Sequence, residues 1–357
     1  MSIIKLNNVV SLCSGFGQIL FALKNANVDI DTFYYSEVNK YANKFLIQNI
    51  DNYQNINEIG DIFGIDISKY NYLQDDIQLL SVLIPRSFYK NNKMQDFLLK
   101  VSTWIKLNPD NIIFETIPEI LTKYKNILGQ IKELAFGYNI LVTKYISKDY
   151  GLPQNRERVH IILTKREFKY PDKYFSDLSM CDLFEEKTNK KYSVNKTTLN
   201  RLSKKSVLGE LKPYVTTEFS KMEIVNWDET FNKDKLSYAI FDFGKGKRSA
   251  YYQLYNPQSI APTLDADNII KVIDYDFTDS KVKSIILATL PPKHKLFNIL
   301  EKTNVRRLTP REYFNLQGFS IFDFDFNGIS DTQLYNMVEG SQDANILSKI
   351  FKKIFCE

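Results

Sequence analysis

The chain has 357 residues, 44% of them hydrophobic and 25% charged, a composition that indicates a globular protein and excludes a disordered one. Its formal net charge of +5 permits a polyanionic partner without requiring one. Three scattered cysteines and two histidines argue against a disulfide framework and against a zinc site.

The first part of the chain alternates between predicted strands and helices. Strands are predicted at Val9–Cys13, Asp31–Tyr35, Asn111–Phe114, Tyr138–Tyr145 and Val159–Leu163. Helices are predicted after the first strand, from Lys40 to Ile47 and around Leu98–Ile105. This alternation predicts an α/β fold with a doubly wound, mainly parallel sheet.

The regular alternation of strands and helices is lost after Lys165 and resumes after Arg306. Helices are predicted there at Pro310–Leu316 and Ala344–Phe355. We therefore predict a core domain of residues 1–165 and 305–357, and a smaller domain of residues 166–304. The smaller domain contains a basic stretch with Lys245, Lys247 and Arg248, which is either a DNA-binding segment or a solvated face. No apolar run approaches a membrane span and the amino terminus is polar, so we expect a cytoplasmic protein with no membrane partner.

A glycine-containing turn, Ser14-Gly15-Phe16-Gly17, separates the first predicted strand from its helix. Such turns let a ligand approach the backbone and the free N–H groups of a helix, although many contain glycine for steric reasons alone. Glu37 ends the next strand, where an acid can bind ribose hydroxyls or simply cap a helix. Asp61 follows Gly60 where a third strand should end.

Three longer segments match the motifs of one enzyme family in the same order. They are residues 150–159 (YGLPQNRERV), 255–264 (YNPQSIAPTL) and 305–319 (VRRLTPREYFNLQGF). The chain resembles the DNA cytosine-C5 methyltransferases, whose motifs are Q-x-R-x-R, G-I-x-P-T-L and R-x-L-T-P-R-E…L-Q-G-F. With the turn at Gly15 and with Glu37, the resemblance covers nearly all of the chain except residues 165–243, where the family has its variable target-recognition domain.

The resemblance implies a Rossmann-like methyltransferase domain that binds S-adenosylmethionine, and a smaller target-recognition domain. Glu37 would contact the ribose and Asp61 the adenine. The cofactor-binding positions that it implies are Ser14, Gly15, Phe16, Gly17, Glu37, Asp61, Ile62 and Pro85.

The resemblance also implies double-stranded DNA as a partner and a target cytosine flipped out of the helix. In the family, a cysteine thiolate attacks C6 of the base, and C5 then accepts the methyl group. The glutamate of an E-N-V motif meets N3 and the amino edge of the base, and an arginine of Q-x-R-x-R assists it. Here Glu115 keeps the acid, and Arg156 and Arg158 keep the arginines.

The position of the family's nucleophile departs from this pattern. The G-x-P-C-Q motif aligns with Leu83-Ile84-Pro85-Arg86-Ser87, so Arg86 stands where the cysteine belongs. A guanidinium stays protonated and is no nucleophile, and a serine without a general base is a poor one. No cysteine lies anywhere between Asp61 and Glu115, so the absence of the family's cysteine does not depend on the alignment of Pro85.

Two further departures concern closure over the base and the cofactor. The segment between Arg86 and Glu115 is shorter than in the family, which indicates a shortened loop over the flipped base. The closing motif, G-N-[SA]-V in the family, aligns with Glu339-Gly340-Ser341-Gln342. We expect an acid at Glu339, beside Glu37, to repel the carboxylate of S-adenosylmethionine.

Three functions are compatible with these residues. The first is a DNA-binding, catalytically inactive homologue that acts as a regulatory or recognition subunit beside an active methyltransferase, as in restriction-modification systems. The second is an active methyltransferase or other base-modifying enzyme, with Glu115 as the acid and Arg86 as an electrostatic stabiliser. The third is a protein–protein contact role without nucleic acid. The chain retains the family's arginines and the 308–319 block and has a basic segment near Lys245–Arg248, and these features favour the first function.

Overall fold

The computed structural model describes residues 3–50, 55–90, 93–194, 239–242, 253–255, 260–267, 269–274 and 304–357. The chain divides into two compact units. Unit 1 comprises Met1–Gly151, Glu157–Phe175 and Gln317–Glu357, and unit 2 comprises Leu152–Arg156 and Ser176–Leu316. The predicted boundaries at residues 165 and 305, and the DNA-recognition role of residues 166–304, stay predictions.

Unit 1 is built on a seven-stranded sheet with helices on its faces. Its strands are β1 (Ile4–Leu12), β2 (Val28–Ser36), β3 (Asn55–Glu58), β4 (Leu79–Leu83), β5 (Asn111–Thr116), β6 (Asn139–Ile146) and β7 (Glu157–Thr164). Its helices are α1 (Gln18–Asn25), α2 (Lys40–Gln48), α3 (Met94–Ile105), α4 (Lys125–Glu133), α6 (Asp331–Glu339) and α7 (Ala344–Phe351). The strand order is β3-β2-β1-β4-β5-β7-β6, and β7 runs antiparallel to the other six strands.

The central strands are apolar on both sides because helices cover both faces of the sheet. Every residue of β5 is buried. On β4, Leu80 contributes to a cluster that includes Trp104 of α3, whereas Leu79 contributes to a second cluster that includes Ile350 of α7. Successive residues therefore feed opposite layers, as a strand's alternation requires. The doubly wound α/β fold predicted from the sequence is confirmed.

Unit 2 contains a four-stranded sheet of order β11-β10-β9-β8. Its strands are β8 (Ala239–Asp242), β9 (Gln253–Tyr255), β10 (Lys271–Asp274) and β11 (Asn304–Arg307), and β11 leads into the short helix α5 (Pro310–Phe314). The basic residues predicted to contact DNA lie outside the described residues; they are Lys245, Lys247 and Arg248.

Two helix boundaries differ from the predicted ones. The helix predicted at Pro310–Leu316 ends at Phe314, because the chain winds into a wider turn and Gly318 takes a left-handed φ of 91°. The final helix keeps α geometry to Phe351 and widens over Lys352–Cys356. In the part of the chain that the structure describes, no helix is long and apolar enough to cross a membrane.

Candidate functional site

The turn after β1 is held in a conformation that requires glycine. Gly15 and Gly17 have φ values of 58° and 78°, and Cys13 between strand and turn has 54°. A Cβ on Gly17 would lie 2.3 Å from Cδ1 of Leu46. The turn is fixed to the next strand because the Ser14 amide donates to the Ser36 carbonyl at 2.9 Å. Gly17 then begins α1, whose first N–H groups point toward the turn.

Glu37 follows β2 and faces this turn. Its Oε2 accepts a 2.7 Å hydrogen bond from the Gly15 amide, and its Oε1 accepts bonds from the amides of Val38 and Asn39 at 2.9 and 2.8 Å. Burial raises the pKa of Glu37, and the three N–H donors oppose that rise. A carboxylate has about four acceptor positions, so one remains for a ligand hydroxyl.

Asp61 and Ile62 follow β3 at the same end of the sheet. Asp61 is exposed, and its Oδ1 accepts from the Phe63 amide at 3.1 Å, which starts a short 3₁₀ turn. Ile62 is buried in the core. Ser36 links this end to β2, since its hydroxyl donates to the Gly60 carbonyl at 2.7 Å. The strand ends therefore place Glu37 and Asp61 on one rim, as the sequence predicted.

Buried polar atoms without a protein partner lie at the same turn. They are the Ser14 hydroxyl and both polar atoms of the Gln18 side chain, in the first turn of α1. Phe16 is fully buried and packs edge-on against Phe45 and Phe319, so it braces the turn. Buried donors and acceptors are costly when unpaired, and these atoms would be satisfied by a polar ligand in the turn.

Arg86 directly follows the end of β4. Pro85 precedes it, and Arg86 opens a 3₁₀ turn that runs to Tyr89. Its side chain is 70% exposed, and its guanidinium lies 3.9 Å from a carboxylate oxygen of Glu119, a weak surface pair. The neighbouring Ile84 amide donates to the Glu115 carbonyl at 3.0 Å, which aligns the ends of β4 and β5.

Glu115 is fully buried near the end of β5. Its Oε2 lies 3.0 Å from the Tyr145 hydroxyl and 3.0 Å from His160 Nε2. Neither Tyr145 nor His160 is among the residues that the motifs single out. His160 is the single polar position of the predicted strand Val159–Leu163, whereas Tyr145 ends a predicted strand that contains several other polar residues and so has no distinct signal.

None of the chain's three cysteines lies at the end of β4. Cys13 is partly buried in the turn, and burial, Glu37 and Asp61 all raise its thiol pKa, so it stays protonated at neutral pH. Burial also raises the pKa of Cys181, which lies in unit 2. Cys356 is exposed at the end of the chain.

The Q-x-R-x-R segment is fixed by backbone hydrogen bonds to the second motif. The amide of Asn155 donates to the Ala261 carbonyl at 2.7 Å, and the Ala261 amide donates to the Pro153 carbonyl at 2.8 Å. Arg156 in unit 2 is buried, whereas Arg158 in β7 is partly exposed and donates to the Glu157 carbonyl at 2.7 Å.

The acid of the closing motif, Glu339, is the last residue of α6 and is exposed. The groups that shift the pKa of Glu37 are burial and N–H donors, and Glu339 is not among them. The structure therefore gives no support to the expected repulsion between Glu339 and a ligand beside Glu37.

Comparison with known proteins decides the family. The model of the C-5 cytosine-specific DNA methylase family matches residues 7–356. The chain belongs to this family. It is 24% identical to the orphan methyltransferase M.SPRI of Bacillus phage SPR, with 97% of each chain covered. It is also 24% identical to the type II methyltransferase M2.ScrFI of Lactococcus lactis subsp. cremoris, over 93% of this chain and 81% of the relative.

Solved structures agree on the fold. The methyltransferase EhMeth of Entamoeba histolytica superposes with a TM-score of 0.67 at 16% identity, covering 98% of both chains. The Dnmt2 methyltransferase of S. pombe superposes with a TM-score of 0.64 at 15% identity, covering 97% of both chains.

The C-5 cytosine methylase family and fold depend on S-adenosylmethionine, and the residues at the turn fit such a cofactor. The glycine backbone permits close approach, Glu37 retains an acceptor position for a ribose hydroxyl, and Ser14 and Gln18 carry unpaired buried polar atoms. When bound, S-adenosylmethionine supplies an electrophilic methyl group. The chain's own contribution at this site is to bind and orient the cofactor.

Proposed function

We propose that this chain is a DNA-binding member of the C-5 cytosine methylase family that does not transfer methyl groups alone. It acts as the recognition or regulatory subunit of a heterodimeric, restriction-modification-type complex, in which a second subunit supplies the thiolate. Arg86 at the end of β4 carries this proposal, because a protonated guanidinium cannot form the covalent bond to C6.

The cysteines and the folded motifs support the same function. The Cys13 thiol is held protonated, and no cysteine exists between Asp61 and Glu115. The motif segments around Asn155 and Arg306 nevertheless keep dense hydrogen bonding. A chain that keeps its framework and lacks its nucleophile is suited to binding a flipped or paired target without reacting with it. Free cysteines agree with the cytoplasmic location that this role needs.

Methyl transfer by the chain alone is tested with tritiated S-adenosylmethionine and mixed-sequence DNA. We expect no label in DNA, with a cysteine-bearing family member as the positive control. Label that is incorporated by the purified chain would overturn the proposal and favour an active enzyme in which Arg86 stabilises charge. Arg86→Ala would then lower the rate, whereas Lys90→Ala, an exposed cation on the same turn, would leave it unchanged.

Subunit function is tested by co-purification of the tagged chain from its source cells. We expect a cysteine-bearing methyltransferase to co-purify and the pair to bind DNA more tightly than either chain. Binding of DNA by the chain should weaken steeply with salt, because phosphate contacts release counterions. A chain that binds neither DNA nor such a partner would refute the proposal and leave a protein-contact role.

A further inference from the structure

Three side chains of unit 1, Tyr145, His160 and Tyr170, form a hydrogen-bonded group around Glu115. Tyr145 and His160 both reach Oε2 of Glu115 at 3.0 Å, and the other ring nitrogen of His160 lies 2.8 Å from the Tyr170 hydroxyl. The Tyr145 ring stacks on the His160 imidazole, with centroids 4.5 Å apart and an interplanar angle of 23°. Stacking and hydrogen bonding together fix the orientation of the imidazole.

Strand register brings these groups together. His160 on β7 is paired directly opposite Glu115 on β5, so both side chains leave the same face of the sheet. Tyr145 lies on β6, the other neighbour of β7. Because β7 lies antiparallel between β5 and β6, Glu115 on β5 has one partner on β7 and a second on β6.

One arrangement of the donors and acceptors in this group leaves Glu115 ionised. Burial raises the pKa of Tyr170 well above its usual value, so its hydroxyl keeps its proton at neutral pH and can donate it. When it donates to Nδ1 of His160, the imidazole proton lies on Nε2 and is donated to Glu115. Tyr145 donates to the same oxygen. In this arrangement Oε2 of Glu115 accepts two hydrogen bonds, which stabilise the ionised form of the carboxylate.

We propose that Tyr145, His160 and Tyr170 are positioning residues that hold Glu115 as an ionised, acceptor-only carboxylate. Such a carboxylate accepts a hydrogen bond from the exocyclic amino group of a base, but it has no proton to donate to a ring nitrogen. Glu115 therefore selects an amino-bearing base without activating it. The inference that Glu115 selects a base rests on the proposed function, whereas the positioning of Glu115 by the three side chains does not.

The proton positions are tested by NMR on protein labelled with ¹⁵N-histidine. The chain has two histidines, and His294→Gln assigns the signals of the other, His160. We expect the ring of His160 as the Nε2–H tautomer, and we expect Glu115→Gln to move its ring-proton signal while Glu119→Gln, on the exposed neighbouring turn, leaves it in place. A ring with its proton on Nδ1 would overturn the proposal, because Nε2 would then accept from a protonated Glu115.

Base selection is tested with DNA duplexes that carry one unpaired cytosine or one unpaired uracil. A hydrogen bond to a charged group predicts about tenfold tighter binding of the cytosine duplex by the wild type. We expect His160→Phe to lose most of this preference, and His160→Gln, whose amide N–H replaces the donor, to keep it. A folded His160→Phe protein with the full preference would refute the positioning role. Absence of any DNA binding would refute the proposed function and leave the NMR result standing.

Discussion

Arg306 and Glu312 form a buried, two-pronged ion pair, with N···O distances of 2.7 and 2.8 Å. Glu312 also accepts from the Thr309 amide at 2.8 Å, which closes a capping box at the start of α5. The ring of Phe184 lies against the guanidinium, with 4.6 Å from Cζ of Arg306 to the ring centroid. This family motif is therefore a framework element of unit 2.

Removal of this pair should destabilise the protein. Glu312→Ala leaves the buried Arg306 charge without its carboxylate, and we expect a loss of about 3–5 kcal/mol in the free energy of unfolding, measured in urea. Glu119→Ala, which removes the exposed partner of Arg86, should cost less than about 1 kcal/mol. Equal losses in the two variants would contradict a structural role for the buried pair.

The turn at Gly17 should tolerate no side chain. Gly17→Ala places a Cβ against Leu46 and also strains a left-handed backbone, whereas Gly60→Ala has the strain alone, since no atom lies within 4 Å of its Cβ. We expect a loss of about 1–2 kcal/mol from strain in both variants, and a further loss at Gly17 only. Urea unfolding measures stability, and calorimetric titration with S-adenosylmethionine should show weaker binding for Gly17→Ala alone. Identical behaviour of the two variants would show that Leu46 simply moves aside.

Much of the order of strands and helices was predictable because short apolar runs alternate with segments of helical spacing. Glu37 and Asp61 follow successive parallel strands, and such ends meet at one rim of a sheet. The prediction that no cysteine stands at the family's nucleophile position needs only the chain's cysteine positions and the two anchors Asp61 and Glu115. These features are local in the sequence, so no tertiary information was needed.

The hydrogen-bonded group of Tyr145, His160 and Tyr170 around Glu115 was not predictable from the sequence. It depends on the register of β5 against β7, which pairs Glu115 with His160, and on the antiparallel direction of β7. Period-two alternation assigns residues to a face but does not fix which strand is the neighbour. Tyr170 follows β7, the last strand of the unit 1 sheet along the chain, and joins the group only through tertiary packing.

Thiol chemistry should distinguish the three cysteines. Burial keeps the Cys13 thiol protonated, whereas Cys356 is exposed, so Ellman's reagent at pH 8 should label Cys356 rapidly and Cys13 last. Cys356→Ser should remove the fast phase, and all thiols should react at once in urea. Rapid native labelling of Cys13, located by mass spectrometry, would show a reactive thiolate in the turn and restore a candidate nucleophile.

Asp343 should make stability depend on pH. It caps α7 by accepting from the amides of Asn345 and Ile346, and burial raises its pKa to about 7, with Glu115 adding to the rise and Ser147 opposing it. The folded protein therefore holds this proton more tightly than the unfolded chain. Below about pH 4, Asp343 is protonated in the folded and the unfolded state, so its contribution to the free energy of unfolding is fully present. As the pH rises from about 4 to about 7, this contribution is lost, and the free energy of unfolding falls by about 4 kcal/mol at most.

Asp343→Asn keeps the capping oxygen and removes the charge. We expect its free energy of unfolding to exceed that of the wild type at pH 8 and the difference to shrink toward pH 4, measured by urea unfolding across the range. Glu37 and Glu312 also have raised pKa values, but they titrate in both proteins and cancel in the difference. Asp66→Asn, at an exposed cap whose pKa is lowered, should give no gain at pH 8. Parallel pH profiles for wild type and Asp343→Asn would show that Asp343 ionises in the folded state without penalty.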